Sequence, residues 1–489
     1  MAIQALSGLP GYARNGSLVD RRFSFAYILK PPPNNARRRL LSSNDMAIVI
    51  MKRPLYLLAL IPIGLWAAFI LPDLMAGEQN GPWFWRRNLI LLSGIVALWW
   101  MSAGMLLATR APWLENRFGG LDRLYRLHKN IGIGAGILVF AHWMLEWLPK
   151  NLAQAGWIAG PNRPRGPRVA EPWVDLAKDV GEWAGYILLA LVVVALIRRI
   201  PYRYFRLMHK AFGLIFLAGV FHGLMLLPGA FWQTPLAWLT VAVAAAGVVP
   251  ALLSLSNRIG RKRQHGATIE AIHQADGQTL EIVCRPDNSW PGHRAGQFLL
   301  ADFAVAREGA HPFTIASAWD SQDGTLTLDI KALGHLTKQL PALLGTGQRI
   351  TLEGPYGHFD FSGNQAVDRS NGHQIWVAGG VGITPFLARL QHLASFGARA
   401  DVDLFYSTTG TGDFPEQLDA LCQRTGVRLH RRLSDRDGPF AAADITACQQ
   451  GGTSVWFCGP RNWGEMLARQ FHTVGLPQES FHQEAFEFR

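Results

Sequence analysis

The sequence predicts a three-part protein: a bundle of six membrane-crossing helices, a strand-rich module and an α/β nucleotide-binding domain. Three observations predict it. Six apolar runs of about twenty residues fill the first half, each long enough for a hydrocarbon core of roughly 30 Å. Beyond residue 266 the apolar positions alternate as they do in strands. A strand, glycine turn and helix pattern, "HQIWVAGGVGITPFLARLQHL", then opens the last part of the chain.

The chain has 489 residues and a formal net charge of +12. Much of that excess flanks the apolar runs, which suits a membrane protein with basic loops and argues against nucleic acid as a partner. Residues 1–50 read as a disordered, Arg-rich leader without a signal-peptide core, and Met46 or Met51 is a candidate start. The apolar runs follow at about 54–75, 88–109, 128–148, 179–198, 209–228 and 235–256, making a membrane domain over 51–257. Trp83, Trp85, Trp143, Trp147, Trp183, Trp232 and Trp238 stand near their edges, as an interfacial belt would. Basic residues crowd the segments before the first run, between two and three, between four and five, and after six. Six crossings put all of these on one side, so both termini are expected inside, at a bacterial inner membrane. The opposite loop, 149–178, carries Arg163, Arg165 and Arg168.

Two of the apolar runs hold paired histidines: His128 and His142, fourteen apart, and His209 and His222, thirteen apart. Polar groups in a bilayer are costly, and those that remain usually act. At 1.5 Å per residue each pair spans about 20 Å, enough to hold two stacked cofactors. Both helices run the same way in a six-crossing topology. His128 therefore pairs with His209 toward the inside and His142 with His222 toward the outside, and bis-histidine haem is the natural filling. Gly132, Gly134, Gly136, Gly213, Gly219 and Gly223 either admit a flat macrocycle or allow close helix packing. A spacing of thirteen misses the same helix face by about 140°. That run therefore needs a π-bulge, or histidines that reach sideways.

After the basic boundary "NRIGRKRQHG", the stretch "ATIEAIHQADGQTLEIVCRP" reads as a hairpin turning at "DG". Strand-like runs continue to about residue 363. The motifs "HPFTIAS" (311–317), "GHLTKQL" (334–340), "EGPYG" (353–357), "VAGGVGITPFL" (377–387) and "FCGP" (457–460) follow. A glycine turn that opens a helix favours a phosphate at the helix N-terminus. The four cysteines, Cys284, Cys422, Cys448 and Cys458, are too dispersed for a compact metal signature and read as reduced thiols.

The histidine pairs, the six apolar runs and the C-terminal motifs together resemble the NADPH oxidase and ferric reductase superfamily over about residues 54–489, a family with the same fourteen and thirteen spacings. The resemblance implies a six-helix transmembrane haem-binding bundle, an FAD-binding antiparallel β-barrel over 266–365 and a parallel-sheet NAD(P)H-binding domain over 372–489. It implies FAD against His311, Pro312, Phe313, Thr314 and Ser317, with Gly334 and with Thr337 opening a helix toward the pyrophosphate. It implies NADPH or NADH on Gly379, Gly380, Gly382, Thr384 and Pro385, with Cys458, Gly459 and Pro460 walling the nicotinamide. Phe486, or failing it Phe488, would cover the flavin. Two haems b would be held by His128, His142, His209 and His222. NADPH preference is open, because the Arg that often follows the "FY" strand is missing from "FYSTTGTGD"; Arg431 or Arg432 could replace it. The acceptor expected across the membrane is ferric iron or a ferric chelate, since no EF-hand of the kind that switches some oxidases is present. Oxygen and a periplasmic acceptor protein are the alternatives, and a transporter without redox chemistry is a remote one.

Overall fold

The computed structural model describes residues 43–75, 81–161, 171–197, 200, 202–274, 278–305, 309–361, 373–409, 415, 417–448, 453–477 and 480–483, with side chains from Tyr56 in the first helix and Tyr204 in the sixth. The expectations for the leader up to residue 42, for the "DG" turn and for Phe486 and Phe488 lie outside these residues.

The apolar runs form helices that begin earlier and end later than the hydrophobic stretches themselves. They are α1 (Ser43–Met75), α2 (Pro82–Leu107), a short α3 (Pro112–Phe118), α4 (Leu121–Gln154), α5 (Pro172–Leu196), α6 (Tyr202–Met225) and α7 (Pro235–Leu255). Six of these are long and apolar enough to cross a bilayer. Proline sets the start of α2, α5 and α7, where the missing N–H costs nothing. At 34 residues, α4 is about 51 Å long and overruns a core of roughly 30 Å. Trp85, Trp147 and Trp238 are exposed toward helix ends, and Trp113, Trp157 and Trp173 join them, whereas the exposed Trp183 stands near the middle of α5 because that helix starts earlier than its apolar run.

Helices α2 and α5 each pack against both α4 and α6, so α4 and α6 face each other diagonally across the ring. Helix α7 lies outside on α2 and α6, with α1 beyond it on α2. The core between these helices is built from Leu98, Phe216, Ala244 and Ala251 on one side and Ala184, Leu188 and Ile215 on the other.

A 3-10 turn at Arg261–Arg263 leads into an antiparallel sheet. Its strands are β1 (Gln264–Gln274), β2 (Thr279–Pro286), β3 (Phe298–Asp302), β4 (His311–Thr314), β5 (Leu326–Lys331) and β6 (Arg349–Tyr356), in the order β4-β3-β6-β1-β2-β5. A bridge between Ile315 and Leu328 joins the two edges, so the sheet curls into a half-barrel. Alternate residues, among them Ile269, Ile282, Leu328 and Leu352, point inward and are buried. Leu336 and Leu340 of α8 (His335–Leu343) pack into the same core.

The outward face of β3 and β6 is also apolar, which two-period alternation alone does not explain. Phe298, Leu300 and Tyr356 pack against Leu107, Leu114, Leu121 and Leu124 at one end of α2, α3 and α4. The barrel is thus seated on the membrane bundle.

The second sheet is parallel throughout. It comprises β7 (Gln374–Gly379), β8 (Val402–Thr408), β9 (Arg428–Leu433), β10 (Ser454–Cys458) and β11 (Phe481–Gln483), ordered β11-β10-β7-β8-β9. Such strands are buried on both faces and read as continuous apolar runs; all seven residues of β8 are buried. Helices α9 (Thr384–Ser395) and α10 (Gln417–Thr425) cover one face. The helix Arg461–Thr473 covers the other.

Candidate functional site

The four histidines meet as the topology requires. His128 and His209 lie with ring centroids 5.8 Å apart, at the end of the bundle that carries the barrel. His142 and His222 lie 6.2 Å apart toward the other end. Each pair fills the space between the diagonal helices α4 and α6. Two metal–nitrogen bonds of about 2 Å plus the half-widths of two rings give roughly 6 Å, so either pair could grip one metal centre.

The second nitrogen of each ring decides its tautomer. His128 Nδ1 is 3.0 Å from the Gly104 carbonyl. His222 Nδ1 is 2.8 Å from the Ala177 carbonyl. His142 Nδ1 lies 3.1 Å from both the Ile90 carbonyl and Ser93 Oγ. A proton on Nδ1 donated to each carbonyl leaves Nε2 with a free lone pair, the form a ligand needs. His209 differs. Its Nδ1 is buried without a hydrogen-bond partner among the described residues, and its ring is held between Phe205 and Phe212, each 5.0 Å away.

Helix α6 is α-helical throughout its described length, so no π-bulge reconciles its two histidines. The rings leave the helix on different sides: His209 turns to α4 and Phe205, while His222 reaches the α5 carbonyl. Most of the glycines singled out above are packing residues. A Cβ at Gly134 would overlap the Trp100 ring, one at Gly136 would meet Val192, and one at Gly213 would meet Leu255. The glycines that make room for imidazole are Gly94 on α2 and Gly181 on α5, against His142 and His222. The sequence carries no mark of them, because in an apolar helix such glycines look like any other.

On the barrel, alternation assigns the faces. His311 and Phe313 lie on the inward side, and Phe313 meets Phe303 edge-on at 5.7 Å. Pro312 and Thr314 share the outward face with Phe298 and Leu300, which looks to the membrane bundle. Ser317 Oγ accepts from the Thr327 amide at 3.0 Å. The helix near "GHLTKQL" opens at His335 rather than Thr337. Thr337 is its third residue, and its hydroxyl accepts from the Gly334 amide at 2.9 Å.

The nucleotide motifs converge. The sheet order reverses between β7 and β10, and both "GGVGITP" and "CGP" leave the C-terminal ends of these adjacent strands. Ligands of open α/β sheets bind at such a switch point. The two turns touch: a Cβ at Gly459 would lie 3.2 Å from Gly379 Cα, and one at Gly379 would lie 2.7 Å from Pro460 Cδ. Gly380 adopts a φ of 54°, which suits glycine. Thr384 and Pro385 open α9 and are buried, with Thr384 Oγ1 donating to the Val381 carbonyl at 3.1 Å. Cys458 is 1% exposed, so the crevice meets the backbone of Gly459 and the ring of Pro460 before it meets the thiol. Arg431 pairs with Asp419, and Arg432 pairs with Asp444 at 2.7 Å and lies over the Phe440 ring.

Two buried charged groups hold the module to the bundle. Glu115 of α3, 3% exposed, accepts from Arg263 at 2.8 Å and from the Gly357 amide at 3.0 Å. Glu353 of β6 accepts from Tyr356 at 2.6 Å and from Arg110 at 3.1 Å. Burial alone would lower the Arg110 pKa, but the charges of Tyr125 and Glu353 outweigh it and raise it. At the opposite edge of the parallel sheet, Asp403 is buried among His373, His430 and Arg428 at 2.7–2.8 Å. Burial would raise its carboxyl, yet these hydrogen bonds hold it well below the usual range.

The membrane stretch from 93 to 220 matches the family model described as ferric reductase like transmembrane component, and 265–360 matches an FAD-binding domain. The first match contains His128, His142 and His209, and ends two residues before His222. The chain is 31% identical over 199 residues to the heme-dependent oxidative N-demethylase beta subunit of Ectopseudomonas mendocina (strain ymp), covering 40% of this chain and 60% of that one. It is 28% identical to the tetrachlorobenzoquinone reductase of Sphingobium chlorophenolicum, covering 33% and 48%. It is 28% identical to human dual oxidase 1, covering 43% of this chain and 13% of that one. The matched part is thus less than two thirds of each relative's length.

Proposed function

We propose that this chain, which belongs to the NADPH oxidase and ferric reductase superfamily, moves electrons from cytoplasmic NAD(P)H through FAD and two bis-histidine haems b to an acceptor across the membrane. The acceptor we propose is ferric iron or a ferric chelate. Oxygen is the second reading, favoured by the similarity to dual oxidase 1. The three arginines suggested to attract an anionic chelate, Arg163, Arg165 and Arg168, lie outside the described residues.

The observation that carries the reading is the pairing of the four histidines at two depths, with three of the four Nδ1 atoms bonded so that Nε2 is left for a metal. FAD supplies the step between two-electron and one-electron transfer when bound. The chain's own groups do the rest. Gly379, Gly380 and Gly382 let backbone amides approach a dinucleotide phosphate at the N-terminus of α9. Pro312 and Thr314 present the barrel face turned to the inner pair, His128 and His209. With haem bound, these four imidazoles would be the groups that hold it, and an acceptor would then take electrons without itself binding the iron.

The test is optical. Purified protein loaded with FAD and haem should show reduced-haem absorbance on anaerobic addition of NADPH or NADH. His128→Ala and His142→Ala should each remove about one haem per chain. A protein that binds two haems in both histidine variants, or whose haems stay oxidised under NAD(P)H, would refute the pathway.

A further inference from the structure

One acid on the barrel stands apart from every group used so far. Asp329 lies on β5 between Leu328 and Ile330, both of which point into the barrel and are buried. Its own side chain therefore stands on the outer face. The bridge between Ile315 and Leu328 runs antiparallel, which sets Asp329 at the register position next to Thr314. Two residues on, Lys331 brings its Nζ within 3.9 Å of where a Cβ of Gly380 would sit. The face that holds Asp329 thus runs from the proposed flavin strand β4 to the glycine turn of the nucleotide domain.

Directly across the strand pair is a second acid, Glu281 of β2. Like charges opposite each other on a sheet repel. On the outer face, strand register continues from Glu281 to His273 of β1. The titratable and charged side chains on the elements packed against this strand are thus Glu281, directly opposite, His273 beyond it, Lys331 on the same strand, and His335 and Lys338 of the neighbouring α8. Its Oδ1 is buried with no hydrogen-bond partner among the described residues, although the strand face itself is the outer one. A buried carboxyl oxygen without a donor favours the protonated acid.

We propose that Asp329 is a proton-holding residue of the flavin site, with Glu281 as its outlet to solvent. This rests on the functional reading above. A hydride brings one proton and two electrons. When both electrons leave singly for the haem pairs, one proton per NAD(P)H remains on the cytoplasmic side. Asp329 as carboxylate takes that proton and becomes the neutral acid. Passing it to Glu281, and from there to water, restores the carboxylate, so no charge accumulates. In the structure, burial and the facing Glu281 push the Asp329 carboxyl up to about 7, where either form is accessible at working pH.

The experiment uses the full-length, FAD-loaded protein and redox-difference infrared spectroscopy, with dithionite as reductant so that the nucleotide site is bypassed. Wild-type protein should show a carboxylic-acid C=O band that responds to flavin reduction and is lost as pH rises from about 6 to 8. Asp329→Asn should abolish that band while FAD occupancy stays at the wild-type ratio. Glu281→Gln should keep the band and shift its midpoint downward, since a like charge is removed. An FAD-loaded wild-type protein without a titrating band overturns the inference, as does a band that persists in Asp329→Asn. If the asparagine variant does not fold, the wild-type titration and Glu281→Gln still decide. A wild-type protein that binds no FAD would instead sink the functional reading itself.

Discussion

Gly181 decides whether His222 has room to stand. A Cβ there would overlap the imidazole and displace it from the Ala177 carbonyl. Gly132, on α4, has open space where a Cβ would go. We predict that Gly181→Ala lowers haem from two per chain toward one, through loss of the outer pair, and that Gly132→Ala keeps both. Forcing a methyl into a filled site costs about 1–3 kcal/mol, enough to misplace a ligand without unfolding a bundle. A haemochrome assay against protein concentration measures it. The histidines themselves were legible in the sequence, because an imidazole in an apolar run is conspicuous. Their pairing was legible too, from helix direction alone. The residues behind them were not. Gly94, Gly181 and the accepting carbonyls of Ile90, Gly104 and Ala177 belong to neighbouring helices, and only packing says which residue lies behind which ring. Asp329 was equally silent: an alternating strand shows that it faces outward, but not that another acid faces it.

Between α2 and α4 the chain makes a tight corner, and the flavin barrel is fastened there. The short helix α3 has seven residues, too few for a periodic signal, and the loop around it read as a basic cytoplasmic stretch. Its buried members are Leu114 and the acid Glu115. Glu115 holds Arg263 and the Gly357 amide, and thereby ties the last membrane helix's exit and the end of β6 to one point. Removing one partner of a buried ion pair costs about 3–5 kcal/mol, and the half-open Arg263 argues for the lower end of that range. We predict that Glu115→Ala leaves NAD(P)H reduction of the flavin near its wild-type rate and slows haem reduction at least about tenfold, because the barrel loses its seat while keeping its core. A tenfold change corresponds to about 1.4 kcal/mol, well inside what the lost pair supplies. Stopped-flow absorbance at flavin and haem wavelengths separates the two steps. Equal slowing of both would show that the corner supports the barrel's fold and not its position. Helix α6 gives the complementary lesson. Its thirteen-residue spacing pointed to irregular winding or sideways reach, and the regular helix selects the second.

Across the whole molecule the sidedness of the proposed current follows from where the soluble half sits. The barrel packs on the end of the bundle that carries the α2–α3–α4 corner. Arg206, at the start of α6, reaches the same end, beside Gly309 of the barrel. The α2–α3–α4 corner, the start of α6 and the exit from α7, all read as basic in the sequence, therefore lie next to the barrel, and basic loops stay inside. In the orientation we propose, the crevice between β7 and β10 lies on the cytoplasmic side and His142 and His222 lie toward the opposite face, about 21 Å of helix from His128. Donor and acceptor must then meet the protein from opposite sides of a sealed membrane. We predict that vesicles with NAD(P)H enclosed on the barrel side reduce a membrane-impermeant ferric chelate added outside, at a rate lost in Gly181→Ala and slowed in Glu115→Ala. Detergent should add nothing to that rate beyond the yield of wrongly oriented copies. Reduction that appears only once the membrane is opened would mean that both substrates use one face. In that case the outer histidine pair would carry no current, however well its rings are placed.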